Sequence, residues 1–138
     1  MRLSTRARYG TRLMLELALN FKRGNIFLKD IARKEELSEK YLSHLVIPLK
    51  ASGLINSSRG AHGGYMLAKP PSRITIKEIV QILEGNISLV ECVKNPSVCS
   101  RVSKCATRDI WVKLDEKVSE VLSAVTLKDL VNSQKRMI

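Results

Sequence analysis

Acidic residues are scarce in this chain. Thirteen aspartates and glutamates stand against 24 lysines and arginines in 138 residues, for a formal net charge of +11. There is no apolar run of about 18 residues, the length needed to cross a bilayer, and no signal-peptide pattern at Met1 onward. A cytoplasmic protein without a membrane partner is therefore expected. No glycine-rich phosphate loop and no nucleophile–base pair is visible. The carboxylates mostly fall at salt-bridging spacing with lysine or arginine, so an enzyme is the weaker reading. Internal repeats and low-complexity segments are also missing. Cysteine is limited to three residues, all within 14 positions. In a reducing compartment an odd number of thiols is poor material for structural disulfides.

The positive charge that is present is unevenly placed. Residues 1–73 hold 14 lysines and arginines against five acidic residues, whereas residues 74–138 hold ten against eight. A generic polyanion binder need not concentrate its charge. Concentration in the half that carries a reading element favours DNA, although a basic face alone is often only a solvated one.

That element lies in residues 38–67. Ser38 suits an N-cap and Glu39 the first turn of a helix. Leu42, Leu45 and Leu49 mark a buried stripe, and Lys40, Ser43, His44 and Lys50 fall on the other side. Gly53 suits the helix stop. Two short strands, residues 54–58 and 65–68, then flank Arg59, Gly60, Ala61, His62, Gly63 and Gly64. Three glycines in six residues let a backbone approach a surface closely, with one arginine and one histidine at the tip. A helix followed by a basic hairpin is the pattern of a winged helix-turn-helix that reads DNA. Pro48 removes a backbone bond late in the helix, at about 3 kcal/mol or a kink, which places DNA contacts before it.

Around this element the periodicity predicts a first helix over roughly 5–22, with Leu13, Leu17 and Phe21 inward. Arg2, Arg6, Arg8 and Arg12 crowd its start, where cations oppose the helix dipole unless an anion lies there. They are either phosphate contacts or a solvated terminus. Residues 26–28 read as extended and 28–36 as a second helix, with Leu37 the buried residue of the turn. Thr75 and Glu78 have capping-box spacing and open a helix to Gly85. Residues 86–104 read as an irregular loop. From Ala106 an apolar edge (Ile110, Trp111, Leu114, Val118, Val121, Leu122, Val125) runs for about 20 residues. That is long for so small a core and is better explained by packing on a second copy. Thr126 caps a last short helix. The expected fold is mainly α with a small β-hairpin wing. It divides into a winged helix-turn-helix (1–73) and a cysteine loop with a long C-terminal dimerisation helix (74–138).

Cys92, Cys99 and Cys105 form C-x6-C-x5-C between two helices. Thiolates suit zinc and iron–sulfur clusters, but three leave either metal one ligand short; the alternative is three free thiols. The chain resembles the Rrf-type winged-helix regulators nearly end to end. The likeness is carried by residues 3–10 (LSTRARYG), 37–42 (LSEKYL) and 59–65 (RGAHGGY), by the three cysteines, and by Trp111 and Thr126-Leu127. The resemblance implies a homodimer on a pseudo-palindromic double-stranded operator, with recognition helices in major grooves and Arg59 in a minor groove.

The resemblance further implies an iron–sulfur cluster on Cys92, Cys99 and Cys105, with 2Fe–2S favoured over 4Fe–4S. Neither fourth ligand known in the family carries over. Where iron–sulfur assembly regulators have histidine this chain has Arg108, which cannot ligate. Where nitric-oxide sensors have an acidic residue it has Arg8. Asp109 is the candidate in this chain, with Glu91, a partner residue or an exogenous ligand as alternatives. The reading is a transcriptional regulator, a repressor, acting as a sensor of iron–sulfur supply or redox state. A nitric-oxide or iron sensor with a 4Fe–4S cluster and a clusterless thiol or zinc sensor are the rivals. DNA contacts fall to Arg2, Arg6, Arg8, Ser38, Lys40, Tyr41, Ser43, His44, Arg59, Gly60, His62, Gly63 and Gly64.

Overall fold

The computed structural model describes residues 2–58 and 64–138. Seven α-helices and a two-stranded antiparallel hairpin occupy the described residues. In order they are α1 (Thr5–Leu19), α2 (Leu28–Glu35), α3 (Glu39–Ala51), β1 (Ile55–Ser58), β2 (Gly64–Leu67), α4 (Ile76–Glu84), α5 (Glu91–Lys94), α6 (Ala106–Ala124) and α7 (Leu127–Met137). This is the mainly helical, winged arrangement that the sequence predicts. No described helix is long and apolar enough to cross a membrane.

Local chemistry sets most of the boundaries. Ser38 accepts from the Tyr41 amide and caps α3. At the other end Gly53 takes a φ of +84°, and the amides of Gly53 and Leu54 reach back to the carbonyls of Lys50 and Leu49. That pair of bonds is a Schellman cap. Pro48 lies inside α3, which continues through Ala51. Thr75 accepts from Glu78 at the start of α4, and Thr126 with Asp129 closes a reciprocal capping box at α7.

α1 ends at Leu19, three residues before the predicted limit. The Asn20 side chain donates to the Glu16 carbonyl at 2.9 Å and so competes with the next turn of helix. Ile26 is more than an extended linker. It exchanges both backbone hydrogen bonds with Tyr65, at 2.9 and 2.8 Å, adding an isolated bridge beside the hairpin.

One hydrophobic core joins both halves of the chain. Leu13, Leu17, Leu42 and Leu49 are buried with Ile79 and Leu127. α4 packs on α1, and α7 returns to cover α1 as well. The division after residue 73 is therefore one of proposed roles; the packing crosses it. The predicted irregular loop contains α5 and two short 3-10 turns, Pro96–Val98 and Val102–Lys104.

α6 is built differently. None of its 19 residues is buried. Leu114, Val118 and Leu122 line an open cavity of about 500 Å³ together with Leu3, Val80 and Leu89. Ile110, Trp111 and Val121 face outward, the last 63% exposed.

Candidate nucleic-acid interface

α3 presents two chemically distinct faces. Leu42, Leu45, Val46 and Leu49 are buried. Ser38, Lys40, Ser43 and His44 are exposed, so the predicted helix contacts fall on one accessible surface. Ser43 donates its hydroxyl proton to the Lys40 carbonyl at 2.6 Å.

Tyr41 sits differently from its neighbours. Its ring meets Tyr9 edge-on at 6.0 Å between centroids, and its hydroxyl lies 3.3 Å from Thr5 Oγ1. The Arg12 guanidinium stands over Tyr9 at 5.5 Å. Tyr41 is thus half-buried and ties the first turns of α3 to α1, with its hydroxyl at the edge of the exposed face.

The basic start of α1 resolves into two sets. Ser4 caps the helix, and its backbone amide donates to Glu84 Oε1 at 2.9 Å; its hydroxyl bonds the same oxygen. The anion that the helix start calls for is therefore supplied by the end of α4. Arg12 is already committed to an internal partner. Its Nε donates to Glu35 at 2.7 Å, and its Nη2 also donates to the Glu35 carbonyl. Arg2, Arg6 and Arg8 are exposed, and no ion pair among the described residues uses them.

Sequence reading missed the group that fixes α2 to α1. Glu16, only 4% exposed, pairs with Lys34 at 3.0 Å and lies beside Glu35. Burial, followed by the hydrogen bond with Glu35, pushes the Glu16 carboxyl above its usual value. Burial pulls Glu35 upward too, but hydrogen bonds with Glu16 and Arg12 outweigh it and hold that carboxyl below the usual range. Two carboxylates and two cations thus brace the end of α2 just before the Glu36–Leu37 turn. Glu36 adopts a left-handed φ of 56°, unusual for a residue with a side chain.

The hairpin stem pairs Ile55 with Leu67 through Ser58 with Gly64. Gly64 has a φ of +134°, and a Cβ there would lie 2.7 Å from the Ile26 carbonyl oxygen. Its small size serves that close approach. Arg59, Gly60, His62 and Gly63, the predicted tip contacts, lie outside the described residues.

The cysteine loop does not form a metal cradle in this arrangement. No group of three or more His, Cys, Asp or Glu residues is disposed to hold an ion among the described residues. The three thiols are free, with Cys92 and Cys105 half-buried and Cys99 exposed. Asp109 is exposed in the first turn of α6, and it completes no such group. Cys105 stands at the N-cap of α6. The Thr107 hydroxyl 3.2 Å away, together with the Arg108 amide, draws the Cys105 thiol below its usual pKa. Arg108, in the position without ligating capacity, reaches the Cys92 carbonyl from Nε and Nη2 at 3.4 Å each and ties the two ends of the loop.

Residues 3–133 match the Rrf2 family model, described as iron-dependent transcriptional regulator. The HTH-type transcriptional regulator CymR of Bacillus subtilis is 42% identical over 96% of this chain and 91% of that protein. The structure of B. subtilis CymR, described as the global cysteine regulator, superposes with a TM-score of 0.83 at 41% identity, covering 96% of this chain and 98% of the other. T. potens IscR gives 0.80 at 34% identity, covering 97% and 88%. The oxidised form of Staphylococcus aureus CymR gives 0.77 at 39%, covering 95% and 96%. The exposed polar face of α3, the hairpin behind it and this end-to-end likeness agree: the chain belongs to the Rrf2 family of DNA-binding transcriptional regulators.

Proposed function

We propose that this regulator binds a pseudo-palindromic operator as a homodimer, with one α3 in each of two successive major grooves. The observation that carries the reading is the outer face of α3. Ser38, Lys40, Ser43 and His44 are all exposed on one short, firmly capped helix in the more basic half of the chain. Arg2, Arg6 and Arg8 supply phosphate contacts beside it, and Arg59, with Gly60, His62, Gly63 and Gly64, belongs to the hairpin that enters the minor groove. Tyr41 orients α3 through Tyr9 and offers its hydroxyl to a phosphate. The second copy packs on the apolar side of α6, where Ile110, Trp111 and Val121 face outward beside the open cavity that Leu114 and Val118 line.

Repression in the cytoplasm, governed by the 92–105 loop, completes the reading. The donor chemistry of three thiols suits a soft metal or an iron–sulfur cluster, but the loop must reorganise before Cys92, Cys99 and Cys105 converge on one centre. Direct thiol chemistry is the second reading, favoured by the free and unconverged thiols and by the likeness to the oxidised form of S. aureus CymR.

Selection from randomised duplexes tests the first claim: an enriched two-fold-symmetric site supports it, and no enrichment refutes it. Anaerobic purification separates the two sensing readings. Brown protein with visible absorption and bound iron supports the cluster, whereas colourless, iron-free protein that responds to oxidant supports the thiols.

A further inference from the structure

One residue on the reading face of α3 is unlike its neighbours. Ile47 follows Ser43 and His44 by one helical turn and is 65% exposed. It belongs neither to the buried core nor to the partly buried residues packed against it. A β-branched residue is a poorer helix former than lysine, glutamate or glutamine, so the fold gains nothing by placing isoleucine there. The exposed apolar residues of α6 repeat along one edge, as a protein partner would require. Ile47 stands alone among polar groups.

The polar groups beside it read with limited means. Ser43 has committed its hydroxyl proton to the Lys40 carbonyl, which leaves it an acceptor. Lys40, His44 and Lys50 remain as side-chain donors on that face. In the major groove each base edge is told apart by donors, acceptors and one apolar feature, the 5-methyl group of thymine. An exposed aliphatic side chain on a groove-facing helix matches that feature and no other.

We propose that Ile47 contacts a thymine methyl in the major groove and sets the preference for thymine at one position of each half-site. The inference rests on the DNA-reading role proposed for α3. Replacing thymine with deoxyuridine removes the methyl and leaves every hydrogen-bonding group in place, so the contact can be tested atom by atom.

The experiment takes the site selected by the full-length protein and exchanges each thymine singly for deoxyuridine. Affinities are measured for the wild type, Ile47→Val and Ile47→Ala. At one symmetry-related thymine the exchange should weaken wild-type binding about three- to tenfold, the scale of one buried methyl group. Ile47→Val should keep at least half of that discrimination on a logarithmic scale, and Ile47→Ala should lose it. Equal deoxyuridine effects in wild type and Ile47→Ala at every position would overturn the inference while leaving the DNA-reading role intact. If the wild type enriches no site, that role and this inference fall together.

Discussion

α3 and α6 are both amphipathic helices, yet they use their apolar residues in opposite ways. In α3 four apolar side chains are buried within a single chain, and the outer face is largely polar. In α6 none of 19 residues is buried, and Trp111 and Val121 remain exposed at 39% and 63%. The folded chain completes the first helix and leaves the second incomplete. A helix that has satisfied its apolar side is free to spend its other face on a ligand of different chemistry. A helix that has not is specified for a like surface, and on the proposed reading that surface is its own copy.

The most severe way to break this contrast is to charge the edge of α6. Val121→Glu should leave the core and its helical circular dichroism unchanged, because the side chain is exposed. It should abolish the dimer in sedimentation velocity, and loss of the second half-site contact should weaken operator binding about 10²- to 10⁴-fold. A Val121→Glu protein that still sediments as a dimer would remove α6 from the interface.

The converse change is in α3. Leu45 is 2% exposed, so Leu45→Ala should cost about 2–5 kcal/mol of unfolding free energy by denaturant titration. Val121→Ala, measured under dissociating conditions, should cost within about 0.5 kcal/mol. Similar costs for the two would erase the distinction.

Smaller effects sharpen the account of the reading face. Arg59→Ala should weaken specific binding about tenfold and reduce its dependence on A·T-rich flanks, with affinity measured at matched salt. Lys40→Ala should weaken binding more modestly. A decrease of about one in the slope of log affinity against log salt would place that ammonium on a phosphate, and an unchanged slope would place it on a base edge.

The smallest expected effect concerns the brace between α1 and α2. The folded chain holds the Glu16 proton more tightly than the unfolded chain does, because burial raises that carboxyl. The stability linked to Glu16 is therefore present at acid pH and lost as pH rises through the elevated pKa. Glu16→Gln removes that titration, so the variant should gain on the wild type as pH rises above the usual carboxylate range. Glu35, shifted down, contributes in the opposite sense, with stability present above its unfolded pKa and lost as pH falls. A stability difference between variant and wild type that does not change with pH would show that Glu16 carries no such linkage.

The elements most legible in the sequence are those set by local chemistry. Ser38, Thr75 and Thr126 cap helices through their own side chains, and Gly53 ends α3 with a positive φ. Leu42, Leu45 and Leu49 repeat with the helical period, so their burial follows from spacing alone. What spacing could not show was long-range. Glu84 lies 80 residues from Ser4, and Glu35 lies 23 residues from Arg12. Arg12, which the sequence leaves open between a phosphate contact and a solvated terminus, is instead half of an internal ion pair. Ile26 pairs with Tyr65 across 39 positions, and nothing in three apolar residues announces a bridge. The cysteines were visible as a set in the chain, but proximity in sequence did not draw the thiols together in space, because α5 and two 3-10 turns hold the segment in its own local bonds.

The central claim is that two chains, joined through α6, place two α3 helices on one duplex. Light scattering coupled to size-exclusion chromatography, run on the selected duplex with excess protein, tests it directly. The account predicts two chains per two-fold-symmetric site for the wild type and no stable complex for Val121→Glu at the same concentration. One wild-type chain per site, with undiminished sequence preference, would contradict it.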